Sequence, residues 1–252
     1  MDPRIRRRRA AVARRQGRRR LRVLLAAMGA ACLAVAAIVV MHSPAMAVRH
    51  LRLVGAHHVE RSQVVRALGL GRTTPLADIS PGQAEQALEA IPWVKRATVA
   101  RSWPSTLDVS LEERTPVAQV AATGGGWAEV DPTGRVLQRG AAPWPGLVRL
   151  SGVGTAGAPG SQIEAALPAL RVAAALPRFL SGSLATDVKV VRRTGGGRLD
   201  LVLRPAGVVE LGRPTKLADK LDSVAAILSQ VDLSRVAVIS VQDPRLPTLT
   251  RR

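Results

Sequence analysis

The chain has 252 residues, 37 basic against 18 acidic side chains and a net charge of +19, a balance that would suit a nucleic-acid binder if it were spread evenly. It is not: residues 1–22 hold eleven arginines and one acid, with no aromatic side chain on which a base could stack, so no nucleic-acid partner is expected. One cysteine, Cys32, and four histidines, none after His58, leave a Ser-His-Asp or Cys-His arrangement in the C-terminal half without its base, and we expect no enzyme, no metal site and no cofactor.

Charge vanishes from Val23 to Met41, nineteen residues with no ionisable side chain except Cys32. As a helix this run is about 28 Å long, close to the roughly 30 Å hydrocarbon core of a bilayer. The expected layout is a basic cytoplasmic arm over 1–22, a transmembrane helix over 23–42, and everything beyond it outside the cytoplasmic membrane. The arm would also meet anionic lipid headgroups, at about 1 kcal/mol per basic residue near the surface. A cleaved signal peptide is the rival, because Ala45-Met46-Ala47 has the form of a cleavage site. The apolar run exceeds the about 7–15 residues of a signal h-region, which favours a retained anchor.

Residues 48–116 read as a compact βααββ unit. Val48–Val54 alternates, with Leu51 and Leu53 on one face and His50 and Arg52 on the other, and ends at Gly55. A short helix is expected over Glu60–Leu68. A second starts at Ser80-Pro81 with Gln83 completing a capping box, and Ala84, Ala87, Leu88 and Ile91 form its apolar stripe. Strands follow at Val94–Trp103 and Thr106–Glu113, the latter with Leu107, Val109 and Leu111 inward. His57-His58 is expected as a solvated loop pair, and Trp93 as a core residue. Trp103-Pro104, at a hairpin end, is expected to be partly exposed.

Residues 117–252 are rich in short strands. Trp127–Val130 and Arg135–Gln138 flank the reverse-turn signal Asp131-Pro132-Thr133-Gly134. Residues 140–160, rich in Gly and Pro, are expected as a surface loop. A helix should run from Ser161 or Gln162 to Leu176, kinked or shortened by Pro168. Strands are expected at Asp187–Val191, Leu199–Leu203, Val208–Leu211 and Val236–Gln242, with a helix opening at Pro214 that carries Leu217, Leu221, Val224 and Leu228. Gly124–Gly126 and Gly195–Gly197 read as hairpin tips. In the extended piece Arg245–Thr250, Pro244 and Pro247 suit a sheet edge. The fold class is therefore α+β: one transmembrane helix, a βααββ domain and a second mixed, strand-rich β domain with two helices.

This order of parts resembles the bacterial cell division family FtsQ (DivIB). Leu51-Arg52-Leu53-Val54-Gly55 is similar to the opening of the family's POTRA domain, and Ile91-Pro92-Trp93-Val94, Arg101-Ser102-Trp103-Pro104 and Leu107-Asp108-Val109 to its central signature. Glu113-Arg114-Thr115-Pro116-Val117-Ala118 resembles the junction with the second domain, and Trp127–Gly134 the hairpin after it. The Arg- and Ala-rich, Lys-poor composition points to a high-GC, actinobacterial kind of source. The resemblance implies a non-catalytic scaffold at the septum that links early and late division proteins by binding small bitopic proteins of the FtsB/FtsL (DivIC) kind, with other divisome proteins as further partners. It implies that a partner strand adds to the edge at Leu246, Pro247, Thr248, Leu249 and Thr250. Lys216, Asp219 and Lys220 would supply rim charges. The family's aromatic anchors are missing here, which leaves Leu246 and Leu249 to replace them. His50, Arg52 and Val54 form a second, weaker candidate surface. The alternative is a POTRA-containing secretion or translocation component that binds exported polypeptides, though such proteins usually carry several of these units.

Overall fold

The computed structural model describes residues 3–180, 187–231 and 236–251, the side chains of 3–19, 21 and 251 excepted. Apart from exposed Arg20 and Arg22, the basic arm expected to contact lipid therefore lies outside the described side chains. The chain forms two compact units, the first of residues 1–54, 61–86 and 98–110 and the second of 55–60, 87–97 and 111–252.

In the first unit, helix α1 runs from Pro3 to Met41. Its stretch Arg22–Met41 is long and apolar enough to cross a membrane, and none of it is buried inside the protein. A 3-10 turn at Pro44–Met46 follows. Ala47 then bridges to Pro75, and the His42 imidazole pairs with the Asp78 carboxylate. Strand β1 (His50–Val54) and helix α2 (Arg61–Ala67) come next.

Helix α3 (Pro81–Glu89) and strands β2 (Val94–Ser102) and β3 (Thr106–Glu113) complete the βααββ order. The three strands form a sheet in the order β1-β3-β2, with β1 parallel to β3 and Leu51 opposite Leu107. Leu107, Val109 and Leu111 are buried, following the period of two in the sequence.

The second unit holds a nine-stranded mixed sheet. Its strands are β4 (Ala118–Ala121), β5 (Trp127–Val130), β6 (Val136–Gly140), β7 (Val148–Ser151), β8 (Val188–Thr194), β9 (Arg198–Leu203), β10 (Val208–Gly212), β11 (Val236–Ser240) and β12 (Thr248–Arg251). The order is β12-β11-β10-β9-β8-β7-β4-β5-β6. Two parallel pairs, β7 with β8 and β10 with β11, are each joined by a crossover helix: α4 (Leu167–Phe179) and α5 (Leu217–Leu228). Ala169, Leu170, Ala173 and Leu176 of α4 and Leu221, Val224 and Leu228 of α5 are buried in one core with the strands.

Two expectations are corrected. Residues 140–160 are not all loop: Val148–Ser151 is a strand inside the sheet, paired on both sides with β4 and β8. Its four residues between Gly-rich flanks are too few for an alternation to show. The helix expected from Ser161 or Gln162 begins only at Leu167: Pro168 shortens it rather than kinking it, and sits in the first turn of α4, where its missing N–H costs nothing.

Candidate interaction surfaces

The β12 border is built by the turn that precedes it. Asp243 Oδ1 accepts the Arg245 N–H at 3.0 Å, the Asp243 carbonyl accepts the Leu246 N–H at 3.2 Å, and Ser223 Oγ on α5 donates to the Pro244 carbonyl at 3.1 Å. These bonds deliver Thr248–Arg251 antiparallel to β11, with Thr248 opposite Ser240 and Thr250 opposite Val238. No strand among the described residues pairs with the other side of β12. Thr248 and Thr250 are exposed, and Leu246 is 75% exposed.

The structure corrects four of the residue roles at this border. Leu246 and Pro247 precede the strand rather than belonging to it, and Pro247 has no N–H to give a partner. Leu249 turns inward and packs on the core, so of the two leucines only Leu246 is free to act as an anchor. Lys220 cannot supply a rim charge. It is 3% exposed, and its ammonium donates to the carbonyls of Leu211 at 2.7 Å and Arg213 at 2.9 Å. Burial pushes its pKa down, against a smaller upward pull from Asp243. Lys216 and Asp219 are exposed.

On β1, the sheet edge of the βααββ region, His50, Arg52 and Val54 are exposed. Arg52 Nη1 stands 3.5 Å from Asp108 Oδ1 on β3. This strand has Leu51 buried, so the three candidate residues share its outer face.

A third cluster was not assigned a role from sequence. Glu113 accepts the N–H groups of His57 and His58 at 2.8 Å and of Val59 at 2.9 Å, and takes the His58 Nδ1 at 2.8 Å. Burial pushes its pKa up, but the hydrogen bonds from His58 and the three amides outweigh it and hold it below the usual range. His58 also stacks on Trp93, ring centroids 4.0 Å apart. The His57-His58 pair is thus a fastened loop, not merely a solvated one. Trp93 is buried, as expected of a core residue.

Next along the chain, Arg114 Nη1 bonds Asp131 Oδ2 at 2.7 Å and Arg114 Nε donates to the Val94 carbonyl at 3.2 Å. Asp131 Oδ1 accepts from the Thr133 amide, the Thr133 hydroxyl and the Arg135 amide. Burial again raises the Asp131 pKa, and the bonds from Thr133, Arg114 and Arg135 more than reverse the shift. The acid-base adjacency Glu113-Arg114 followed by an Asp-Pro-Thr-Gly turn was the signal in the sequence. The arrangement is structural: each charge is spent on a partner within the fold. Among the described residues no group of three or more His, Cys, Asp or Glu gathers as metal ligands would.

Residues 46–114 match the family model for the POTRA domain, FtsQ-type, and residues 118–245 match the model for cell division protein FtsQ/DivIB, C-terminal. Curated relatives include cell division protein FtsQ of Mycobacterium leprae, 28% identical over 82% of this chain and 57% of its own length. That of Mycolicibacterium smegmatis is 29% identical over 91% of this chain and 65% of its own. The match thus spans less than two thirds of either relative.

Proposed function

Since the chain belongs to the FtsQ/DivIB family of cell division proteins, we propose that it is a non-catalytic scaffold of the division machinery, enriched at the septum. One membrane span holds it, with the N-terminus in the cytoplasm and the remainder outside. Residues 48–116 act as the membrane-proximal module and residues 117–252 as the partner-binding module. The partners are small bitopic proteins of the FtsB/FtsL (DivIC) kind, which connect early and late division proteins through this chain. Other divisome proteins are further partners, and His50, Arg52 and Val54 on β1 offer them a second surface.

The observation that carries this reading is the side of β12 with which no strand among the described residues pairs. A strand at a sheet border presents unpaired N–H and C=O groups, so a partner segment laid against it gains main-chain hydrogen bonds. Exposed Leu246 beside it adds an apolar contact. The test is co-purification of the tagged full chain from its own host. Removal of residues 245–252, or Leu246→Asp, should lose the bitopic partners. Undiminished recovery rejects the border as the binding site, and normal division after depletion of the chain rejects the scaffold itself.

A further inference from the structure

Trp103 and Pro104 form the turn between β2 and β3, and half of the Trp103 surface is exposed. The next residue holds this turn against the segment leaving α1: the Ser105 carbonyl accepts the N–H groups of Arg49 at 2.9 Å and His50 at 3.1 Å. The two turn side chains wall one side of an apolar groove of about 580 Å³. The other side is α1, through Leu33, Ala36, Ala37, Val40 and Met41. That spacing is one face of a helix.

Position along α1 decides what covers the groove. Leu33 precedes Met41 by eight residues, so the groove reaches about 12 Å down the helix from the outer end of the span. A turn that lies beside these residues lies below the bilayer surface once Arg22–Met41 crosses it. The groove is many times larger than the roughly 30 Å³ share of a water molecule, and its apolar walls offer water no partners. Exposed Arg49 and Arg101 flank the turn; Arg101 Nη1 donates to the Ala77 carbonyl at 3.1 Å, and its other guanidinium N–H groups and those of Arg49 are placed where phosphate headgroups would be met. Trp is also the side chain that favours this level, with an apolar body and a polar N–H.

We propose that the Trp103–Pro104 turn enters the outer leaflet beside the last turns of α1, and that an acyl chain of an anionic phospholipid fills the groove between them. The inference rests on the span crossing the membrane and is independent of any division partner. It gives the chain a second point of attachment to the bilayer.

The full chain in vesicles of phosphatidylcholine and phosphatidylglycerol, with nitroxides either near the headgroup or near the chain end, tests it by tryptophan fluorescence. Quenching should be stronger with the shallow nitroxide, and Trp103→Phe should lose that excess, leaving the signal of Trp93, Trp127 and Trp144. A second variant, Arg49→Glu with Arg101→Glu, keeps all four tryptophans. It should weaken the shallow quenching only where phosphatidylglycerol is present. If the chain resists carbonate extraction yet W103F is quenched like its parent, the proposal is overturned. If the chain washes out with carbonate, the membrane span fails and the proposal falls with it.

Discussion

Arg114 and Asp131 are seventeen residues apart in the chain, yet Nη1 and Oδ2 lie 2.7 Å apart with the carboxylate almost wholly buried. The same carboxylate closes the β5–β6 turn through Thr133 and Arg135. One buried anion thus sets both the start of the strand-rich region and the shape of its first hairpin.

Asp131→Asn should therefore be costly, because it leaves the Arg114 guanidinium without its counter-charge. Breaking one partner of a buried pair costs about 3–5 kcal/mol. In a unit of this size that lowers the melting temperature by roughly 6–20 °C. Differential scanning fluorimetry of the detergent-solubilised full chain measures it. An unchanged melting temperature would show that the pair contributes nothing.

Glu113 and Asp131 both have folded-state pKa values below the ordinary range. Each contributes stability that is complete above its unfolded value, about 4, and is lost as pH falls through the folded value. The wild-type urea midpoint should drop as the pH falls from about 5 to about 3. Glu113→Gln should start lower at neutral pH and lose less on acidification. An equal acid loss in both proteins would contradict the assignment.

Gly55 has a φ of +79°, and a Cβ there would meet the Leu111 carbonyl oxygen at 2.0 Å. Gly55→Ala combines a left-handed backbone with a clash against main chain, and should cost at least about 2 kcal/mol. Gly82→Ala, on α3 with open space around it, should be neutral or stabilise by up to about 1 kcal/mol. Comparison of the two melting curves checks both.

Lys220 and Lys216 should behave in opposite ways. Lys220→Ala strips the donor from the Leu211 and Arg213 carbonyls and should cost about 1–3 kcal/mol. Lys216→Ala, at an exposed side chain, should stay within about 0.5 kcal/mol. Denaturant midpoints of the two variants distinguish them. Equal midpoints would mean that the buried ammonium does not hold the turn before α5.

Much of this architecture could be read from residue patterns. The alternation in Leu107, Val109 and Leu111 located β3, and Pro244 and Pro247 marked the β12 segment as a border. The stripe Leu217, Leu221, Val224 and Leu228 located α5, yet Lys220 was placed on its rim. Position 220 lies three residues after Leu217 and four before Val224, on the buried side, and its long stem lets the ammonium reach two carbonyls there. Strand β7 escaped notice because it is short and its identity comes from parallel neighbours far away in sequence. The pairing of Arg114 with Asp131 escaped for the same reason: the pattern shows two charges, but only the fold shows that they meet.

The passage from α1 to β1 has little slack. It is clamped where His42 meets Asp78 and again where Ala47 bridges to Pro75. A change in the direction of α1 would therefore meet few unpaired residues before the first strand in which to be absorbed.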